Sequence, residues 1–113
     1  MKKILTAAFC AAMASPALAQ GWPTGYEGVM LQGFYWDSYS DSQWKNLEKQ
    51  APELGSYFSL IWVPKSGKCL EEHNVMGYTP YYYFDQNSSF GSEAELRSMI
   101  GAMRQNGVGV LAD

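Results

Sequence analysis

Residues 57–64 read YFSLIWVP, a nearly continuous apolar run that is bounded by turn-forming residues. A strand buried on both faces has this composition, and such strands are typical of parallel sheets covered by helices. Residues 108–112 (VGVLA) form a second run of the same kind. Residues 29–36 (VMLQGFYW) also begin with apolar side chains and then turn polar and aromatic. The sequence therefore predicts three strands.

The segment between the first two predicted strands has the spacing of an amphipathic helix. Trp44, Leu47, Ala51 and Leu54 follow one another at intervals of three, four and three residues, which places them on one helical face. Pro52 interrupts this stripe, and a proline inside a helix removes one backbone hydrogen bond. We therefore predict a helix that is kinked or ends near Ala51.

A second helix is predicted before the third strand. Ser92 and Glu95 have the spacing of a capping box, residues 96–103 carry apolar side chains at helical intervals, and Gly107 is a stop signal. Residues 65–90, by contrast, show no clean period of either kind, which predicts a long loop between the second strand and this helix.

The predicted order is β-α-β-loop-α-β, which indicates parallel strands joined by right-handed crossovers. Both a doubly wound sheet and a (β/α)8 barrel have this order, but no Gly-x-Gly-x-x-Gly fingerprint follows the first strand. Polar and aromatic residues follow all three strands, in residues 32–37, in the tyrosine-rich loop 77–84, and at Asp113. Parallel sheets and barrels build their binding sites at these carboxyl ends.

The first nineteen residues are typical of a secretory signal peptide. Lys2 and Lys3 precede an apolar run, and Ala17-Leu18-Ala19 is a small-x-small cleavage signal, so the mature chain is expected to start at Gln20. The run is too short for a membrane-spanning helix, which needs about 20 apolar residues. We expect an exported protein, periplasmic or extracellular, with no membrane association after cleavage.

Charge and cysteine content exclude several classes of function. The formal net charge is −3, and removal of Lys2 and Lys3 would make it −5, which disfavours binding to nucleic acid. Cleavage would remove Cys10 and leave Cys69 as a free thiol or a link between chains. Residues 69–73 (CLEEH) suggest a metal site, but four ligands at suitable spacing are missing, so a solvated acidic surface is the preferred interpretation.

Four stretches of the chain resemble the secreted α-amylases of glycoside hydrolase family 13. They are MLQGFYWDS (30–38), LIWVP (60–64), GYTPYYYFD (77–85) with FGSEAELRSMIGAM (90–103), and GVGVLAD (107–113). In the family these stretches form the first three strands and the helix before the third. The resemblance implies a partial (β/α)8 TIM barrel of three strands, with residues 20–113 as its N-terminal part and a truncation at Asp113.

The resemblance also implies what the chain lacks. Retaining glycosidases use two carboxylates about 5–5.5 Å apart. In the family the Asp nucleophile, the Glu acid/base and a third Asp follow the fourth, fifth and seventh strands, so we expect no catalytic residue in this chain and no activity from it alone. Calcium is expected as the cofactor of the full-length protein, with no metal ligand in this chain.

Three residues are nominated for the site by the same resemblance. Tyr78 lies in the Gly-Tyr-x-Pro motif, whose tyrosine stacks on the sugar at the cleavage point in the family, and Trp36 would line outer sugar sites. Asp113 matches a residue that organises the site around the nucleophile. Residues 81–84, three tyrosines and a phenylalanine, are expected to turn mainly inward and pack the loop.

The function implied is endo-hydrolysis of α-1,4 bonds in starch-like or glycogen-like glucans with retention of configuration. The expected partner is an α-glucan polysaccharide or oligosaccharide. One alternative is a small non-catalytic glucan-binding module, although such modules are mostly all-β and two helices are predicted here. Another is a transglycosylase or α-glucosidase of the same family, which this stretch of sequence does not distinguish.

Overall fold

The computed structural model describes residues 26–70 and 75–113. Its elements in chain order are β1 (Met30–Gln32), a 3-10 turn (Ser38–Ser40), α1 (Trp44–Leu54), β2 (Leu60–Val63), β3 (Lys68–Cys69), β4 (Pro80–Tyr82), α2 (Glu93–Gln105) and β5 (Gly109–Ala112). The predicted signal peptide and the cleavage site at Gln20 lie outside the described residues, as do Glu71, Glu72 and His73.

The central feature is a three-stranded parallel sheet in the order β1-β2-β5. Ile61 of β2 lies opposite Leu31 of β1 on one side and Val110 of β5 on the other. The prediction of parallel strands is therefore confirmed. The first strand is shorter than predicted, because the chain leaves the sheet after Gln32, and Gly33 keeps one last hydrogen bond from its amide to the carbonyl of Trp62 (2.8 Å).

Only one face of this sheet is fully covered. Ile61 and Val63 are buried beneath the helices, whereas Leu60 and Trp62, which alternate with them and point to the opposite face, are half-buried. The expectation that β2 is buried on both faces is thus wrong for the described residues. The apolar run was consistent with burial on either face, because composition alone does not reveal what packs on each side of a strand.

Helix α1 places its predicted stripe in the core. Trp44, Leu47 and Ala51 are buried, and Leu54 packs against them. The helix runs through Pro52 to Leu54, so the prediction that it ends or kinks near Ala51 is wrong. Pro52 is exposed, and the carbonyl that loses its partner there can be hydrated instead.

Helix α2 begins and ends with the caps that its sequence predicts. The Ser92 hydroxyl accepts from the Glu95 amide (3.3 Å), and the Glu95 carboxylate accepts from the Ser92 amide (2.9 Å). At the other end, Gly107 has a φ of 77°, its amide donates to the carbonyl of Arg104, and the next amide donates to the carbonyl of Met103. That pair of bonds is a Schellman motif.

The segment predicted as a featureless loop contains a small antiparallel sheet. β3 pairs with β4, and Lys68 lies opposite Tyr82 with an irregular register beside it. Neither strand exceeds three residues, which is too short for a period of two to show in the sequence. This hairpin positions the chain on either side of Tyr78.

Candidate functional site

The carboxyl ends of the three parallel strands bring the nominated residues together. Trp36 lies in the segment after β1, Lys65 follows β2, and Asp113 follows β5, where its amide donates to the carbonyl of Val63 (3.1 Å). Tyr78 reaches the same place from the loop before β4. We call Trp36, Lys65, Tyr78 and Asp113 the strand-end site.

Trp36 and Tyr78 form an aromatic stack at the surface. Their ring centroids are 5.9 Å apart and their planes differ by only 15°. Trp36 is 68% exposed and Tyr78 is 38% exposed. Two nearly parallel rings that remain accessible to solvent provide flat apolar surface next to polar groups, which is the amphipathic character of tyrosine and tryptophan at wet binding surfaces.

The Tyr78 hydroxyl is held in its neutral form. Partial burial raises its pKa most, and hydrogen bonding to the Asp113 carboxylate and the negative charge of that carboxylate raise it further. The hydroxyl therefore donates to Asp113, because the carboxylate can only accept. In this way the last strand of the sheet fixes the tip of a side chain that comes from the loop.

Lys65 is a residue of the site that the sequence analysis missed. Its ammonium lies 5.9 Å from the centre of the Tyr78 ring, within the range of a cation–π contact. Gly77, the neighbour of Tyr78, has a φ of 94°, and a Cβ built on it would lie 2.8 Å from the Cβ of Lys65. The position of Lys65 directly after the second strand was a signal that could have identified it.

The backbone around Trp36 is constrained from both sides. Before it, Phe34 is buried and meets Trp62 edge to face, with ring centroids 5.4 Å apart. After it, Asp37 adopts a left-handed conformation with a φ of 65°, which a short polar side chain tolerates better than most residues. The hydroxyl of Tyr35 also donates to the carboxylate of Asp41. Trp36 is therefore presented to solvent by a fixed turn.

The expectation for residues 81–84 is wrong. All four aromatic side chains are exposed, and Phe84 is 97% exposed. The reason is the short pairing of β4 with β3, which fixes the backbone of this segment along the outside of the loop. An aromatic cluster in a sequence usually indicates burial, and no local signal showed that these side chains have no core to enter.

The described residues contain no assembled metal site, since no three His, Cys, Asp or Glu side chains are grouped in a way that could hold an ion. Cys69 is a buried free thiol, and its sulfur donates to the carbonyl of Gly67 at 3.7 Å. The described residues also include no helix with the length and hydrophobicity that crossing a membrane requires.

The strand-end site has the chemistry of a binding surface. It offers two aromatic faces, one ammonium donor and one carboxylate acceptor, a set that suits a neutral molecule with an apolar face and several hydroxyl groups. Asp113 is the one carboxylate among its four residues, whereas hydrolysis of a glycosidic bond with retention needs a pair.

Proteins with sequences similar to this chain are known. Over 86 residues it is 34% identical to probable alpha-amylase 2 of Arabidopsis thaliana, a match that covers 75% of this chain and 20% of that protein. Over 133 aligned positions it is 35% identical to a glucan 1,4-alpha-maltotetraohydrolase of Roseateles saccharophilus, covering 100% of this chain and 24% of that protein. The chain thus spans between a fifth and a quarter of these two relatives. No family model matches it.

The fold has a counterpart among solved structures. The model superposes with a TM-score of 0.57 on a variant of alpha-amylase I from Eisenia fetida, solved as a complex with maltohexaose, and covers 75% of this chain and 16% of that one. The sequence identity is 21%, so this likeness concerns the fold, which in that enzyme is a TIM barrel. By sequence and by fold, the chain is therefore a relative of the α-amylases of glycoside hydrolase family 13 over one part of their length.

Proposed function

We propose that this chain supplies part of the sugar-binding rim of an α-amylase-type glycoside hydrolase. In this proposal residues 20–113 form the opening three strands of a (β/α)8 barrel, and the whole protein hydrolyses internal α-1,4 bonds of starch-like glucans with retention. Relatives that are named as amylases and maltotetraohydrolases favour hydrolysis over transfer. Export through the signal peptide pattern of residues 1–19 belongs to the same proposal.

The observation that carries the proposal is the Trp36–Tyr78 stack at the carboxyl edge of the parallel sheet. A pyranose ring presents a C–H face that packs on an aromatic ring, while its hydroxyls reach polar neighbours. Lys65 and Asp113 stand next to the stack and would serve these hydroxyls as donor and acceptor. Asp113 acts mainly by holding Tyr78.

The proposal assigns sugar binding and no bond cleavage to these residues. The carboxylates that would act as nucleophile and acid/base are not assigned to any residue of this chain. Calcium is proposed for the whole protein only, because the described residues do not assemble a group that could hold it.

The test is a fluorescence titration of the full chain with maltohexaose, with β-linked cellohexaose as the control sugar. Exposed Trp36 is expected to change its emission when maltohexaose covers it, and the Trp36→Phe variant should lose this signal. Tyr78→Ala should bind maltohexaose about tenfold more weakly, which corresponds to about 1.4 kcal/mol. Equal affinity of Tyr78→Ala and the unaltered chain would contradict the proposal, as would equal binding of the two sugars.

A further inference from the structure

The four exposed side chains of residues 81–84, which we call the aromatic ribbon, form a surface separate from the strand-end site. They line an open depression of about 600 Å³, together with the polar side chains of Asp85, Asn87 and Glu93. This volume is within the range of about 300–1,000 Å³ that is typical of small-molecule sites. None of the four residues of the strand-end site lines it.

The backbone beneath the aromatic ribbon is well anchored. The Lys68 amide donates to the carbonyl of Asp85 (2.8 Å), and its ammonium lies 3.7 Å from the Asp85 carboxylate and 5.9 Å from the centre of the Tyr82 ring. Tyr81 and Tyr82 meet edge to face at 4.9 Å. The rings are therefore exposed on a fixed support, which lowers the entropy cost of binding to them.

The polar side of the depression keeps hydrogen-bonding capacity. One oxygen of Asp85 accepts from the amide and the side chain of Asn87 (2.9 and 2.7 Å), and these bonds are the main reason that the pKa of Asp85 is lowered. Its other oxygen lies beyond hydrogen-bond distance of Lys68. The hydroxyls of the three ribbon tyrosines make no hydrogen bond to other described residues.

We propose that the aromatic ribbon is a second carbohydrate-binding surface, which holds an α-glucan chain independently of the strand-end site. Flat rings with free hydroxyls beside an ionised carboxylate suit the C–H face and hydroxyl edge of a neutral pyranose. The choice of an α-glucan rests on the proposed function, whereas the separateness of the two surfaces does not.

A second copy of the chain is a less suitable occupant. A symmetric contact through this depression would bring two pairs of carboxylates, Asp85 and Glu93 from each copy, towards one another. Like charges that are desolvated together repel each other strongly. A neutral sugar brings no such charge.

The experiment compares the migration of the full chain in native gels with and without soluble starch. Tyr83→Ala changes a ribbon tyrosine that is 77% exposed, and Tyr57→Ala is its matched control at 72% exposure. Tyr83→Ala is expected to weaken retention by starch at least threefold, and Tyr57→Ala should leave it unchanged. The strand-end double variant Trp36→Ala with Tyr78→Ala should keep a part of the retention, which then disappears when Tyr83→Ala is added.

Three results would overturn the second surface. They are unaltered retention of Tyr83→Ala, complete loss in the strand-end double variant, and identical migration of the unaltered chain with and without starch. Sedimentation provides the remaining arm: if Tyr83→Ala abolishes a dimer but not retention by starch, the ribbon binds a second copy instead. If only Tyr83→Ala loses retention, the strand-end site of the proposed function fails while the second surface stands.

Discussion

Tyr78 is the residue on which the strand-end site depends, because three different interactions meet on one side chain. Its ring stacks on Trp36 and lies under the ammonium of Lys65, and its hydroxyl bonds to Asp113. The ring contacts and the hydroxyl contact can be removed separately, since phenylalanine keeps the first and loses the second.

Tyr78→Phe is expected to change the dependence of stability on alkaline pH. Burial and Asp113 raise the pKa of Tyr78 in the folded chain, so the stabilisation is fully present below the unfolded pKa of about 10 and is lost as the pH rises through the folded pKa. Urea denaturation at pH 8 and at higher pH should show a smaller loss of stability for Tyr78→Phe. Tyr57→Phe is the control, and parallel profiles for Tyr78→Phe and the unaltered chain would contradict the assignment.

Gly77→Ala is expected to destabilise the loop that presents Tyr78. The φ of 94° and the 2.8 Å approach to the Cβ of Lys65 should together cost about 1–2 kcal/mol of the free energy of unfolding. Gly67→Ala is the matched control, because nothing lies within 4 Å of its Cβ position. Urea denaturation measures both, and equal stability of the two variants would show that the Gly77 conformation adapts at no cost.

The residues of the site differ in how far the sequence predicts them. Trp36, Tyr78 and Asp113 were nominated because they follow strands or lie in a motif, and the structure places them together. Lys65 also follows a strand, but a lysine beside a loop looks like any solvated charge. Its contact with the Tyr78 ring depends on a loop conformation that local sequence does not encode.

At the scale of elements, the two helices rest on local signals and the strands do not. Helix α2 follows its capping box and its closing glycine to within a residue, because both caps are made by residues next to the helix. β1 is shorter than the apolar pattern predicted, and the β3–β4 pair was missed entirely. The pairing of Lys68 with Tyr82 joins residues that are far apart in the sequence, so no local pattern reveals it.

Ser92→Ala tests how much the first cap of α2 contributes. The substitution removes the acceptor for the Glu95 amide, and loss of such a cap typically costs about 1 kcal/mol. Ser56→Ala is a suitable control, since its exposed hydroxyl makes only a long 3.4 Å bond to the carbonyl of Pro52. We expect a lower midpoint of urea denaturation for Ser92→Ala alone, and equal midpoints would rule out a stabilising cap.

At the scale of the whole described structure, the sheet has one well-covered face. The helices bury Ile61 and Val63, while Leu60 and Trp62 on the opposite face keep part of their surface exposed. A substitution should therefore have a large effect between helices and sheet and a small one on the other face.

Two methionines test this asymmetry. Met99 of α2 is fully buried, and Met30 of β1 is 41% exposed. Met99→Ala is expected to lower the free energy of unfolding by about 2–5 kcal/mol, whereas Met30→Ala should change it by less than about 1 kcal/mol. The measurement is urea denaturation with circular dichroism, and comparable losses for both variants would mean that the second face is covered as well.

The central place of β2 has a further consequence for exchange with deuterated solvent. Among the described strands it alone has hydrogen-bonded neighbours on both sides, so its amides exchange only when the ribbon opens from two directions. Asp113 is attached to the same strand through the carbonyl of Val63. Any opening between β2 and β5 therefore also releases the carboxylate that steadies Tyr78, and a bound sugar should slow the isotope uptake of β2 although it touches none of its amides.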